Sequence, residues 1–434
     1  MEGHAQTVED NLVDSLSFKL RPGASYVTNR RSVTFWPSTG GEYGPSAIKT
    51  IKIALNGDQW LDPRTVKLFF TLYNNSTGDI KPIAPHGWVF FRRLRVICGG
   101  QILEDIDNYA RVHQMFHIME PGEKRLNDAI EGFGIDTGTN LTIDFSKLNN
   151  PDKIVAGDKR VICFSPFCGI LRQEKYLPIR YCPLQFEFEL YSSTAITLSN
   201  PAPAVATKYL LTDVQIKCDL LDLDNGFDNQ YSQFLLSGKM LPIHYTAVSH
   251  SSQVLTNYRS DVHVSRSLTR LKAVFISLLG LDISTPDPGI SEVNFFYHPM
   301  NPTAADTKYY DYNEELEFQI QVGSKLFPEM GIRSLAEAYY QLRKTLGLHF
   351  GTDSMNFNPR YYLSSSFVTA IDMEKVLGAS FTGQNTKGGD LLTIRMKPAN
   401  VNNMAITKET LSLHYTLVFD SMIEIGLAGV NVLD

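Results

Sequence analysis

One pattern occurs twice in this chain, and that repetition constrains its fold more than any single residue. In the first half the alternating run "LRVICGGQIL" (residues 94–103) gives way to "EDIDNYARVHQMFHIMEPG", an amphipathic segment ending at Gly122. In the second half "LEFQIQVGSKL" (residues 316–326) gives way to "FPEMGIRSLAEAYYQLRKTLG", ending at Gly347. Each copy reads as a period-2 strand, a glycine with leucine three positions later (Gly100/Leu103, Gly323/Leu326), and a helix bearing an alanine (Ala110, Ala336). Strand "TVKLFFTLY" (65–73) has a counterpart in "TRLKAVFISLL" (269–279), about 204 positions on, and Leu211 has one in Leu411, about 200 on. Solenoids and propellers repeat every 20–50 residues or so, whereas a period near 200 means two whole domains.

The rest of the chain is written mainly in strand periodicity. In "CPLQFEFEL", Leu184, Phe186, Phe188 and Leu190 share one face while Gln185, Glu187 and Glu189 share the other. Val214, Ile216, Cys218 and Leu220 alternate in the same way, as do Leu411, Leu413, Tyr415, Leu417 and Phe419, with Ile423, Ile425 and Leu427 continuing the series. Shorter strands are expected at 32–36, 48–55, 88–98 and 315–322. One-sided alternation favours antiparallel sheets packed face to face. The run "AVFISLLGL" from Ala273 is too short for a membrane helix and reads as a strand buried on both faces. Long loops rich in Gly, Pro and Asn suit the end-to-end crossings of Greek-key and jelly-roll topologies. Helices are expected at 105–119, with Ile106, Tyr109, Ala110, His113 and Phe116 as apolar stripe, and at 333–346, with Ile332, Leu335, Ala336, Tyr339, Leu342 and Leu346. The polar stretch "DLDNGFDNQYSQFLLSGK" is expected to be an inter-domain linker, with the boundary near 225–237.

At 434 residues, 43% hydrophobic and 20% charged, the chain is long and apolar enough for two domains with large cores. A net charge of −6 argues against coating nucleic acid by phosphate neutralisation. The five cysteines, an odd count without a C-x-x-C pair, suggest neither a zinc framework nor a disulfide scaffold, so reduced, buried thiols are expected. The acidic start of the sequence shows no basic segment followed by an apolar one, so no secretory signal is expected, and Asn74, Asn75 and Asn140 are expected to stay unmodified despite their N-x-S/T sequons.

Catalytic and metal patterns are missing where they would be sought. Asp136–Gly138 spells Asp-Thr-Gly, but an aspartic protease needs a second such carboxylate and none occurs. His113 and His117 are spaced to share a metal, yet "QMF" between them lacks the glutamate of a zinc-protease helix, so His113 is expected in the core or at an interface. Walker loops, G-x-G-x-x-G, G-x-S-x-G and His-x-His are absent. Arg92, Arg93 and Arg95 form one basic knot, expected to be a solvated face or a set of ion pairs rather than an anion site. No catalytic, cofactor-binding or metal-binding residue is therefore expected.

The ordered features "WLDPRTVKLFFTLYN", "VFFRRLRVICGGQILEDIDNYARVHQMF" and "TKGGDLLTIRMKPAN…LSLHYTLVFDSMIEIGLAGVNVLD" resemble the double jelly-roll major capsid proteins of tailless icosahedral DNA viruses. The likeness is strongest to those of Polinton-like viruses and virophages, in the lineage that includes adenovirus hexon. It implies an all-β chain: an arm at 1–14, a first eight-stranded antiparallel jelly roll at 15–228 and a second at 229–434, with a few short helices. It further implies a homotrimer of pseudo-hexagonal outline in a virion capsid assembled inside the host cell. The two helices would connect strands within their rolls and lie at trimer contacts. Partners would be neighbouring capsomers, contacted by the acidic arm, and penton and minor or cement proteins, with no sequence-specific nucleic-acid binding; an internal membrane is left open. Tandem jelly rolls also occur in a glycoamidase and in lectin-like modules, so a glycan-binding or glycan-hydrolysing protein is the alternative, and a cellular β-sandwich scaffold is a third reading.

Overall fold

A computed structural model describes residues 26–133, 153–199, 208–282, 291–296, 298, 316–347, 357, 362, 365–376, 381–388, 391–398 and 409–434. The expected arm at 1–14 and the Asp136–Gly138 tripeptide lie outside them. The first half supplies eight principal strands: β1 (Val27–Phe35), β2 (Thr50–Leu55), β3 (Trp60–Tyr73), β4 (Phe91–Cys98), β5 (Gln101–Ile106), β6 (Lys159–Phe164), β7 (Leu184–Leu190) and β8 (Leu210–Leu223). The second supplies β9 (Leu241–Leu255), β10 (Ser260–Val264), β11 (Leu271–Asp282), β12 (Leu316–Val322), β13 (Lys325–Ile332), β14 (Val368–Asp372), β15 (Leu392–Pro398) and β16 (Glu409–Gly426), followed by β17 (Gly429–Leu433).

The principal strands of the first half form two sheets, in the orders β1-β8-β3-β6, with the short Leu177–Pro178 strand also paired to β3, and β2-β7-β4-β5. Those of the second half run β9-β16-β11-β14 and β10-β15-β12-β13. Adding eight to every label of the first half gives the second. Every one of these pairings is antiparallel, and each half pairs its first strand with its last. This is the jelly roll, formed twice. The alternating strands explain the sandwiches: Leu184, Phe186, Phe188 and Leu190 of β7 turn inward, as do Leu94 and Val96 of β4, opposite Phe188 and Phe186. Glu187 is also buried, because Lys52 (2.8 Å) and Arg95 (2.9 Å) reach it from the two flanking strands.

Several expectations need correction in register or extent. The β4–β5 hairpin pairs Cys98 with Gln101, and the β12–β13 hairpin pairs Val322 with Lys325. Gly323 (φ 58°) therefore matches Gly99 (φ 55°) rather than Gly100, so the aligned glycines are one residue out of step. Gly87–Phe90 is a 3-10 turn, and the strand expected from Trp88 begins at Phe91. Leu427 does not continue the β16 core series; the strand ends at Gly426 and Leu427 is exposed in the turn to β17.

Helix α1 spans Tyr109–Ile118, not 105–119, since Asp105 and Ile106 still pair with Arg95 and Leu94. Next come α2 (Gly122–Asp128) and α3 (Asn225–Leu236). The expected linker is thus an ordered helix: Asp224 caps it by accepting from the Gly226 N–H, Phe227 stacks on Tyr26, and Tyr231 packs at a tilt against Trp60. Helix α4 (Leu335–Thr345) is capped by Ser334, which accepts from the Glu337 N–H, and it stops before Gly347 (φ 71°). Ala338 and Leu342 face inward and Ala336 faces out, so the apolar stripe is rotated from the expected one. Among the described residues no helix is long and apolar enough to cross a membrane.

The cysteine expectation also fails in part. Cys98 ends β4 and Cys182 lies two residues before the partner strand β7; the structure joins them in a disulfide with Cα atoms 5.7 Å apart. Their separation of 84 residues hides in sequence what the strand register brings together. Closing so long a loop contributes on the order of 4 kcal/mol in the chain-entropy account. Cys163, Cys168 and Cys218 are free. Asn74 is fully buried, its amide donating to the Gly78 carbonyl of its own loop and to the Ile154 carbonyl from a distant segment, which close its sequon off. Alkylation of the denatured chain without reductant is expected to label three cysteines, Cys163, Cys168 and Cys218, and five after reduction; mass spectrometry after digestion checks both.

Candidate functional site

Helix α1 is buried on nearly every side, including Tyr109, Ala110, Val112, His113, Gln114, Met115 and His117. A helix buried all round belongs between two packed layers, and α1 fills the seam between the two sandwiches. On the side of the first sandwich, Trp88 Nε1 donates to Gln114 Oε1 (3.2 Å), and the Tyr109 hydroxyl accepts from the Phe167 N–H (2.8 Å). On the side of the second, Met115 and Met119 join an apolar cluster with Ala273 and Phe275 of β11, Val368 and Ala370 of β14, and Leu342 of α4. This explains why β11 is buried on both faces: one closes its own sandwich and the other receives α1.

Arg111 is the polar centre of the seam. It is 1% exposed, and its Nη1 donates to the carbonyls of Glu292 (2.7 Å) and Phe295 (2.8 Å). Nη2 donates to Ser277 Oγ (3.1 Å) and the Leu278 carbonyl (3.2 Å), while the guanidinium lies over the Phe296 ring at 4.4 Å. Burial pushes its pKa down to about 9, so it stays charged at neutral pH. Beside it, His250 of β9 and His414 of β16 share a hydrogen bond (3.2 Å), and His250 also meets Thr416 Oγ1 (2.9 Å). Burial, reinforced by the Arg111 charge, lowers His250 to about 3 and His414 well below its ordinary 6.5.

A second tie joins edge strands β5 and β9. Glu104 on β5 accepts from the Ile170 N–H (2.9 Å) and, across the seam, from the Val248 N–H of β9 (3.4 Å). Burial raises this carboxyl to about 7 against the backbone donors that oppose the shift. The Tyr245 hydroxyl donates to the Leu103 carbonyl (3.2 Å). Gly169 is required here, because a Cβ would come within 1.9 Å of the Thr246 carbonyl oxygen.

Flanking α1, a cavity of about 380 Å³ is lined by His86, Trp88, His113, His117, Glu120 and Asp128, among others. The rings of His86, Trp88 and His113 stack at centroid spacings of 4.1 and 3.9 Å, with His117 edge-on to His86 at 4.3 Å. Burial pushes His86 down to about 2 and His113 well below 6.5, so both are neutral at physiological pH. His113 and His117 do not converge on one ligand: His113 Nδ1 meets the Tyr109 hydroxyl (3.2 Å), whereas His117 Nδ1 faces Glu120 (3.3 Å).

The arginine knot is consumed by ion pairs within the chain. Arg93 forks onto Asp105, Arg95 reaches Glu187, and Arg92 lies 3.3 Å from Glu189. A bulge between Phe91 and Arg93 puts Arg92 outside alongside Arg93. Sequence reasoning missed Arg111, Glu104, His250 and His414. Its available signal was the apolar residues off the expected stripe of α1, Val112 and Met115, which mark a helix covered on more than one side.

The two matched sandwiches and their helical seam define a double jelly roll. No protein-family model matches the sequence, nor does any curated protein sequence. Among solved structures, the chain resembles the VP54 protein of PBCV-1, as fitted into a reconstruction of the virophage Sputnik, with a TM-score of 0.60 and 11% identity over 96% of this chain and 99% of that one. The Faustovirus major capsid protein matches at a TM-score of 0.57 and 8% identity over 96% and 94%, and the mavirus major capsid protein at 0.51 and 9% over 96% and 92%. At such identities the likeness is one of fold.

Replacing Arg111 with Met strips four carbonyl and hydroxyl acceptors of their donor and is expected to cost about 3 kcal/mol in urea denaturation. The two seam histidines have folded values below the unfolded 6.5, so their contribution is complete above pH 6.5 and is lost as pH falls toward the folded values. Glu104 works in the opposite sense: its contribution is complete below pH 4.5 and lost as pH rises through about 7. Stability is therefore expected to fall on acidification below pH 6.5, and less steeply in a His250→Leu/His414→Leu chain; equal slopes in urea melts would contradict this account.

Proposed function

We propose that this chain is a structural major capsid protein whose homotrimers form pseudo-hexameric capsomers and tile an icosahedral shell around a DNA genome. One observation carries the reading. The first sandwich presents α1, the helix between its fifth and sixth strands, to the outer face of sheet β9-β16-β11-β14 of the second. The second sandwich has the corresponding helix, α4, between β13 and β14, and the first has the corresponding sheet, β1-β8-β3-β6. Around α4, Tyr340 and Met330 are 57% and 71% exposed; on the outer face of that sheet Val161 is 66% exposed beside half-buried Phe69. A contact of α4 with this sheet in the next chain repeats the internal seam, and a heterologous contact of this kind closes when its rotation returns to the start. Three chains then place six sandwiches in a ring.

In this reading the rolls occupy residues 15–228 and 229–434, with α3 spanning the junction. The protein resides in the virion capsid beside neighbouring capsomers, penton proteins and minor or cement proteins. The genome is held by enclosure, in keeping with a net charge of −6. The fold's solved counterparts include proteins named as major capsid proteins of Faustovirus and mavirus, which supports the role.

Light scattering coupled to size exclusion is expected to give a trimer, and electron microscopy hexagonal particles or sheets. Tyr340→Glu with Met330→Glu on one side, or Val161→Glu on the other, is expected to yield folded monomers. A wild-type chain that stays monomeric at high concentration would sink the proposal.

A further inference from the structure

The cavity beside α1 holds a group of ligand-type side chains that the seam does not use. His117 stands in the last turn of α1, Glu120 in the turn that follows, and Asp128 at the end of α2. The helix–turn–helix brings His117 Nδ1 to 3.3 Å from Glu120 Oε2 and 3.9 Å from Asp128 Oδ2, with all three ligand atoms within 4.8 Å of one another. Two ligands about 2.0–2.2 Å from one tetrahedral ion stand roughly 3.3–3.5 Å apart, so the first distance already fits. The second closes by a small rotation of Asp128, whose side chain is 37% exposed. One imidazole and two carboxylates suit divalent first-row ions of intermediate softness.

Lys124 occupies Glu120 Oε1 (2.6 Å), so its positive charge partly offsets that of the carboxylate, while Oε2 stays directed at His117. Two further features favour a cation at this point. The C-terminal end of α1 is the negative end of its dipole. His86, 3% exposed, lines the same cavity with a buried Nδ1 that has no hydrogen-bond partner, as has Nε2 of the neighbouring His117. Buried nitrogens without partners are costly, and a water on a bound ion is one group that could satisfy them.

We propose that His117, Glu120 and Asp128 bind one divalent ion of the zinc class, with its open position facing the cavity and His86. The ion clamps α2 to the end of α1 and so stiffens the flank of the seam. The test uses the metal-stripped full-length protein titrated with ZnCl2 by calorimetry, with melting followed in parallel and MgCl2 as control. One Zn2+ per chain and a raised Tm are expected, with little response to Mg2+. Asp128→Asn and Glu120→Gln should each weaken Zn2+ binding by more than roughly tenfold, whereas Glu131→Gln, on the same cavity wall but outside the ligand set, should not. Because His117 is buried and its replacement risks the fold, the more exposed Asp128 carries the decision. Absence of Zn2+ binding, or undiminished binding in Asp128→Asn, overturns the proposal.

Discussion

The rest of the structure depends on one buried cation meeting four acceptors. Arg111 leaves a helix of the first sandwich and ends among the Glu292, Phe295 and Leu278 carbonyls and the Ser277 hydroxyl of the second half. A guanidinium removed from water is tolerated only where its donors are met, and four of them are. The seam therefore has one favourable alignment, because a slide of either sandwich strands a charge. Apolar contacts around Met115 and Phe275 supply area without direction; Arg111 supplies the direction.

The fold was largely legible because alternation marks a strand buried on one face. Leu184 to Leu190, Val214 to Leu220 and Leu411 to Phe419 turn inward as their parity requires. What the sequence concealed is set by the second face. His414 and Thr416 alternate with core residues and look solvent-facing, yet both are buried, because α1 covers them. Arg111 looks like the polar side of an amphipathic helix for the same reason. Where a segment is covered twice, periodicity reports only one of the two coverings. The disulfide escaped on different grounds: Cys98 and Cys182 become neighbours through the register of β4 on β7, which no local spacing records.

Of the polar residues around the cavity, sequence singled out His113 and His117, set aside a metal shared through their helical spacing, and placed His113 in the core or at an interface. The fold buries His113 in an aromatic stack and directs His117 toward carboxylates contributed by the following turn and helix, which spacing did not show. Spacing within a helix fixes which residues share a face, but the turn after it decides what that face meets. The same holds for α4, where the packing of the helix, which the sequence does not record, turns Ala338 inward in place of Ala336.

Pairing each sandwich's first strand with its last also orders events in time. A ribosome must deliver β8 before β1 has a partner, and β16 before β9 does. When the first sandwich closes, α1 is already in place with Met115, Met119 and Arg111 facing a sheet that does not yet exist. Roughly 200 more residues must be made before β16 arrives, which at 5–20 residues per second is on the order of 10–40 s. Throughout that interval the nascent chain carries an open apolar and charged flank, so the feature that aligns the finished protein is the one that leaves its half-made form exposed.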